Sequence, residues 1–238
     1  MTDNSDDKDA TDDFTGTFAS PACSMHELDP FYAGLASDPQ ATIDVARWRK
    51  AERERLIAAR LALSIEEREA SARAIAEQLD QILTLGDETV VSVYWPFRGE
   101  PDLRFWMRSV HERGARVALP AVVAKGQPLQ FRLWTPETRM ERGVWNILVP
   151  PPGTEIEPTV TIAPLVGFDG ECYRLGYGGG YYDQTLVTLS KKPLTIGVGH
   201  PMERLATIYP QPHDIPMDWI VTGDEPPRKR SDVKTSPA

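Results

Sequence analysis

The stretch Thr89-Val-Val-Ser-Val-Tyr94, continued by Asp102 to Glu112 and then by Arg116-Val-Ala-Leu119, decides the fold class. Its first segment is short, β-branched and closed by Pro96, which predicts a buried strand. Asp102 to Glu112 predicts a helix that stops at Gly114, and Arg116 opens a second strand. Strand, helix, strand is the βαβ unit of a parallel sheet. Working outward, Leu129 to Trp134, Val160 to Val166 and Leu194 to Val198 predict further strands, and Tyr181 to Leu189 predicts a helix. Toward the N-terminus, Asp44 to Leu63 is an Arg- and Glu-rich helical segment without Gly or Pro. Ser64 and Glu67 then form a capping box, in which the hydroxyl accepts from a backbone N–H and the carboxylate reaches back to the cap. That box starts a second helix, from Ile65 to about Leu85, stopped by Gly86. The expected architecture is α/β, a three-layer α/β/α sandwich with a mostly parallel central sheet in a single domain.

Both ends depart from this pattern. Residues 1–13 hold six Asp and one Lys, and residues 1–40 as a whole lack any sustained period, which predicts a flexible acidic arm. Residues 226–238, with Pro226, Pro227 and Arg228-Lys229-Arg230, predict a flexible tail, leaving residues 41–225 as the folded domain. The net charge of −9 argues against a general nucleic-acid binder, since the basic residues do not outnumber the acidic ones even between the two ends. Cys23 and Cys172 are too few for a disulfide framework, so a reduced, cytoplasmic protein is expected. The start lacks the pattern of a secretory signal, and no apolar run approaches the ~20 residues that span a bilayer. No membrane or nucleic-acid partner is expected, and the chain is expected to be a monomer or weak homodimer.

The chemistry lies in Gly167-Phe-Asp-Gly-Glu-Cys-Tyr-Arg174-Leu-Gly176-Tyr-Gly178-Gly179-Gly180-Tyr181-Tyr182-Asp183. It follows a predicted buried strand and leads into a predicted helix, at the carboxyl end of the sheet where open α/β proteins bind ligands. Four glycines within five residues let several N–H groups point at one place, next to the positive end of a helix dipole. Arg174 adds a full charge. The segment contains neither G-x-x-x-x-G-K-[ST] nor G-x-G-x-x-G. By spacing alone it is either a polyphosphate cradle or a tight structural turn.

Taken whole, the segment resembles the signature of the 5-formyltetrahydrofolate cyclo-ligase family, also called methenyltetrahydrofolate synthetases. The resemblance runs from the Arg-rich first helix through Pro164-Leu-Val-Gly-Phe-Asp169 and the glycine segment to His213-Asp214 and Asp218. It implies closure of 5-formyltetrahydrofolate to 5,10-methenyltetrahydrofolate, dependent on ATP and Mg²⁺, with release of ADP and phosphate. ATP and a reduced folate would be the partners. By the same resemblance Arg174 and Tyr182 are the catalytic residues. ATP is held by Arg49, Lys50, Arg53, Arg174, Leu175, Gly176, Tyr177, Gly178, Gly179, Gly180, Tyr181 and Tyr182. The folate contacts Trp95, Glu100, Tyr177, Gly178, Gly179, Gly180 and Tyr181, and Asp183 and Asp214 hold Mg²⁺.

Four residues depart from the family pattern. Arg49 stands where the family has Lys, a change that matters at a close-fitted phosphate site. The loop Trp95-Pro-Phe-Arg-Gly-Glu100-Pro carries Arg98 and Pro101, and Glu203 falls where Gln is common. The alternatives are an ATP-dependent ligase for another folate-like substrate and a catalytically silent, nucleotide-binding regulator of the same fold. His111 is expected to be structural, and His200 lacks a visible partner for general-base work.

Overall fold

The computed structural model describes residues 39–230. The predicted arm falls outside this range up to residue 38, as does the predicted tail beyond residue 230. Four α-helices are present among the described residues: α1 (Pro39–Leu61), α2 (Ile65–Ile82), α3 (Arg104–Glu112) and α4 (Tyr181–Thr188). The strands are β1 (Val90–Ser92), β2 (Arg116–Ala121), β3 (Gln130–Trp134), β4 (Glu141–Arg142), β5 (Leu148–Val149), β6 (Val160–Pro164), β7 (Gly167–Phe168), β8 (Arg174–Leu175), β9 (Leu194–Val198), β10 (Trp219–Val221) and β11 (Arg228–Lys229). The main sheet has seven strands in the order β11-β10-β9-β6-β1-β2-β3. It is parallel from β10 to β2, and its two edge strands, β3 and β11, run antiparallel.

The βαβ stretch folds as its sequence predicts. Strand β1 is buried at all three residues because it is central, with β2 on one side and β6 on the other, so no polar alternation is needed. One sheet face carries Val91, Val117, Ile162, Ile196 and Val221, and packs with Ile75 and Leu79 of α2 and Trp106, Met107 and Val110 of α3. The other face, with Ala163 and Ile220, is covered by Leu186 of α4 and by Leu165, Phe168 and Met217 from loops and short strands. This is the three-layer sandwich. Among the described residues no helix is long and apolar enough to cross a membrane.

Element ends differ from the predicted ones for identifiable reasons. The capping box forms, with Ser64 Oγ accepting from Glu67 N at 3.1 Å and Glu67 Oε2 accepting from Ser64 N at 2.8 Å, a cap worth about 1 kcal/mol. Helix α2 ends before Gly86 because Leu83 turns extended and buries its side chain against the core. Helix α1 is longer at its start than the Asp44 to Leu63 segment. The basic cluster is corrected more substantially: Arg228 and Lys229, expected in a solvated tail, form an edge strand on Trp219 and Ile220. There the Lys229 ammonium sits 5.4 Å from the Trp219 ring centroid.

Topology fixes the site. From β1 the chain moves outward through β2 to β3, then returns to the other side of β1 and moves outward through β6, β9 and β10. The order reverses between β1 and β6, and a crevice opens at the carboxyl ends of strands at such a point. The Trp95 to Pro101 loop leaves β1 there, and the Gly167 to Asp183 segment follows β6. Helix α1 lies across the same end, where Leu56 Cδ1 would come within 3.0 Å of a Cβ at Gly167.

Candidate active site

Helix α1 buries Arg49, Leu56 and Arg60, and together with Arg53 these positions form one stripe at helical spacing. Arg49 donates through Nε to the Ile208 carbonyl at 2.9 Å and through Nη2 to the Tyr209 carbonyl at 2.9 Å. Its fork also closes on both oxygens of Asp214, with Nη1 3.3 Å from Oδ1. Arg53 Nε donates to the Gly176 carbonyl at 2.7 Å, tying α1 to the glycine segment. Lys50 is exposed and lies off this stripe, so the structure does not gather it with Arg49 and Arg53.

The glycine segment begins as a short antiparallel ladder, β7 with β8, in which Leu175 is buried. Asp169, nearly fully buried, shapes the turn: its carboxylate accepts from the N–H groups of Glu171, Tyr173 and Ile208. Gly178 (φ 98°) and Gly180 (φ 62°) adopt left-handed backbone that a side chain would strain. Gly179 has no room for a Cβ, which would meet the Tyr181 ring at 2.7 Å. From Tyr177 to Gly180 the amides donate no backbone hydrogen bond to another described residue, and Gly180 starts α4 without a side-chain cap. Open amides at a helix start form an anion cradle.

Arg174, buried at 8% exposure, donates Nη2 to Asp183 Oδ2 at 2.9 Å and lies 5.1 Å from the Tyr182 ring centroid. Its Nε and the Tyr182 hydroxyl are buried without a partner among the described residues. Buried donors left open beside an anion cradle suit a ligand that brings its own acceptors. Burial also raises the Tyr182 hydroxyl well above its ordinary range, so it stays protonated. Asp183 Oδ1 accepts from Ile215 N at 3.1 Å, which places this carboxylate beside the chain position next to Asp214. Each of the two is paired with an arginine. Among the described residues no set of three or more His, Cys, Asp or Glu side chains is arranged for a cation. Two neighbouring carboxylates suit Mg²⁺ that arrives with phosphate oxygens, not a cation caged by protein alone.

On the β1 side, Glu100 is 5% exposed and forms the inner wall of an open groove of about 990 Å³ that also passes Trp95, Arg68, Arg104 and Phe105. Trp95 is half-buried, with the Arg104 guanidinium 5.2 Å from its ring centroid. Glu100 Oε2 accepts from Phe97 N at 2.8 Å, and Oε1 accepts from the Tyr177 hydroxyl at 2.9 Å. Glu100 and Tyr177, from the two loops at the reversal point, thus touch directly. Burial raises the Glu100 carboxyl to about 7, although Arg60, Phe97 N–H and Tyr177 each favour its charged form.

Several groups here escape a sequence reading. Arg60 is fully buried and donates to the Arg98 carbonyl (2.8 Å), the Leu165 carbonyl (3.1 Å), Glu203 Oε1 (3.1 Å) and the Tyr177 hydroxyl (2.6 Å). Its signal was the spacing: it continues the Arg49 and Arg53 stripe by seven residues beyond Arg53. Glu203 is also fully buried, accepts from His200 N at 2.8 Å and is pushed by burial to about 8. His200 does have a partner, Nε2 lying 2.9 Å from the Gly99 carbonyl, and burial lowers its basicity. Trp145 sits in left-handed backbone between β4 and β5, 40% exposed and edge-on to Tyr181 at 5.9 Å. No local pattern marks it.

A model of the 5-formyltetrahydrofolate cyclo-ligase family matches residues 45–223. The 5-formyltetrahydrofolate cyclo-ligase of Mycolicibacterium smegmatis is 31% identical over 166 residues, covering 65% of this chain and 83% of that protein. The 5-formyltetrahydrofolate cyclo-ligase of Haemophilus influenzae is 28% identical over 142 residues, covering 56% of this chain and 75% of that one. Among solved structures, Aquifex aeolicus 5,10-methenyltetrahydrofolate synthetase superposes with a TM-score of 0.67 at 26% identity, over 80% of this chain and 96% of the other.

Proposed function

This chain belongs to the 5-formyltetrahydrofolate cyclo-ligase family, and from that we infer that it closes 5-formyltetrahydrofolate to 5,10-methenyltetrahydrofolate with ATP as co-substrate. The observation that carries the reading is the junction of two half-sites: an anion cradle with open donors at Arg174 Nε and Tyr182, joined through Tyr177 to a buried carboxylate at Glu100. A formamide oxygen is a poor leaving group. Transfer of the γ-phosphoryl to that oxygen, with ADP departing, makes a phosphate ester. The neighbouring aryl amine then attacks the activated carbon, losing its proton as phosphate leaves.

The chain's own part is positioning and charge neutralisation. The amides of residues 177–180 and the Arg174 guanidinium would hold phosphate oxygens, with Arg53 keeping the loop against α1 and Tyr182 donating its hydroxyl. Arg49, held on Asp214, would turn its fork to phosphate once a cation drew that carboxylate away. Asp183 and Asp214 would hold Mg²⁺, which when bound neutralises phosphate charge. Glu100, Trp95 and Tyr177 would receive the folate, and the exposed ring of Trp145 beside Tyr181 offers a flat face to a heteroaromatic ligand. The catalytic domain would begin at α1, so that residues 1–38 are dispensable for turnover. A reduced cytoplasmic setting fits Cys172, whose thiol burial pushes up to about 11, and a monomer or weak homodimer completes the proposal.

The test is direct: purified chain, ATP, Mg²⁺ and 5-formyltetrahydrofolate, followed by the near-ultraviolet absorbance of the methenyl product. Product formation that requires ATP supports the reading. ATP binding without product would replace it with the silent-regulator alternative.

A further inference from the structure

Behind the folate side a buried polar cluster joins Glu100 and Tyr177 to Arg60, Glu203 and His200, which lie outside the set of site residues expected from the sequence. Arg60 enters from α1, Glu203 and His200 from the turn after β9, Tyr177 from the glycine segment, and Glu100 from the loop after β1. Arg60 donates to the Tyr177 oxygen at 2.6 Å, so the tyrosine's own proton must point elsewhere. It can go to Glu100 Oε1 at 2.9 Å or, less well, to the Phe97 carbonyl at 3.4 Å. The same guanidinium holds Glu203 directly at 3.1 Å. One cation therefore serves two carboxylates, one directly and one through a tyrosine.

The charge count does not close if both carboxylates are ionised. Arg60 and Glu203 are 0% exposed and Glu100 is 5% exposed, so an excess negative charge would be held away from water, where it is costly. The surrounding groups offer little relief. His200 from the β9 loop is kept neutral by burial, and Arg68, Arg104 and Arg108 face Glu100 only across the open groove, where water screens their charge. Tyr94, two residues past β1, and Tyr182 of α4 are held protonated. The simplest resolution is a proton retained within the cluster, and two carboxylates coupled through shared partners titrate as a pair.

We propose that Glu203 is a positioning residue that acts through Arg60 and Tyr177 on Glu100, so that the two carboxylates share one proton and set the charge presented to the folate. This rests on the cyclo-ligase reading for what Glu100 faces, but the proton belongs to the ligand-free chain. An ionised Glu100 only accepts hydrogen bonds, whereas a protonated one also donates. A pterin ring carries both N–H donors and a carbonyl, so the protonation state selects how the ring is gripped.

The test is carboxyl ¹³C NMR of the full ligand-free chain with labelled Glu, in the native protein, Glu203→Gln and Tyr177→Phe. Native protein should show Glu carboxyl resonances titrating with a midpoint above about pH 6, away from the ordinary range near 4.3. Glu203→Gln leaves Arg60 to Glu100 alone and should move the Glu100 midpoint down by at least about one pH unit, a tenfold change in its proton affinity. Tyr177→Phe removes the donor that favours the charged form and should move it up. In turnover, the pH dependence of KM for the folate should shift with the same midpoint while KM for ATP does not. No midpoint above pH 6, or a Glu100 midpoint unmoved in both variants, would overturn the proposal, as would a rise of both KM values together. Tyr177→Phe, which keeps the ring, carries the test if Glu203→Gln does not fold. Absence of methenyl product from the native chain would overturn the cyclo-ligase reading alone, because the carboxyl titrations decide the shared proton without any folate.

Discussion

Arg60→Met is the perturbation whose cost can be worked most fully from the structure. Met fills similar apolar volume on α1, so the change is mainly the loss of the guanidinium. Four acceptors lose a donor: the carbonyls of Arg98 and Leu165, the Tyr177 oxygen and Glu203 Oε1. A buried acceptor left unsatisfied costs about 1–3 kcal/mol, but the tyrosine can still donate and Glu203 can take up a proton. The two carbonyls alone then cost about 2–6 kcal/mol, consistent with the range of about 3–5 kcal/mol found when one partner of a buried ion pair is removed. Against a typical total stability of about 5–15 kcal/mol this is a large fraction. Urea unfolding followed by tryptophan fluorescence should show the midpoint falling by about 1–5 M, given slopes of about 1–3 kcal/mol per M. The penalty should be smaller at pH 5 than at pH 8, because at low pH Glu203 is already neutral. Arg60→Met combined with Glu203→Leu removes both charges, and should regain at least about 2 kcal/mol over the single variant. A single variant within about 1 kcal/mol of native, or a double variant no better than the single, would refute the reasoning.

Arg174→Ala should weaken ATP by about 10- to 150-fold, the equivalent of one charge-assisted phosphate contact of about 1.5–3 kcal/mol; unchanged affinity in a nucleotide titration would remove the glycine segment from the ATP site. Asp183→Asn keeps the acceptor for Ile215 N–H but loses the charge that pairs with Arg174, and should lower Mg²⁺-dependent turnover by orders of magnitude, measured below the variant's lowered unfolding temperature. Near-normal activity would take Asp183 out of the metal role. Gly179→Ala should raise KM for both ligands several-fold, since the added Cβ would meet the Tyr181 ring at 2.7 Å and displace it, and unchanged steady-state constants would show that the ring does not contact them. Stability itself should depend on pH through Glu100 and Glu203, whose folded carboxyls lie at about 7 and about 8 against an unfolded value of 4.5. The folded state then holds protons that the unfolded chain has released, so this contribution is complete below about pH 4.5 and is lost as pH rises toward 8. Denaturation midpoints that rise across this window would contradict the assignment.

Local rules carried much of the fold. The βαβ stretch, the capping box at Ser64 and the strands at Leu129 to Trp134 and Leu194 to Val198 follow from periodicity, β-branching and punctuation, which act over a few residues. The elements that escaped were those made by pairing. Strands β4, β7, β8 and β11 are two residues long and exist because a neighbour accepts their backbone groups. Arg228 and Lys229 read as tail for the same reason, since nothing local says that Trp219 and Ile220 lie beside them. In the site, the resemblance directed attention to Arg49, Arg53, Arg174, Asp183 and Glu100, and these do converge, whereas Lys50 is turned outward by one residue's rotation on α1.

By itself the sequence determined the α/β class, the glycine segment with its arginine and the Arg-rich first helix, because each is a pattern within one stretch of chain. Only the tertiary structure decided that the strand order reverses between β1 and β6. That reversal sets Tyr177 against Glu100 and brings Arg60 and Glu203 in behind them from chain positions 143 residues apart. The physical reason is distance along the chain. A buried charge is tolerated only if its partners arrive from elsewhere in the fold, and no local preference of Arg60 or Glu203 encodes which partner that is.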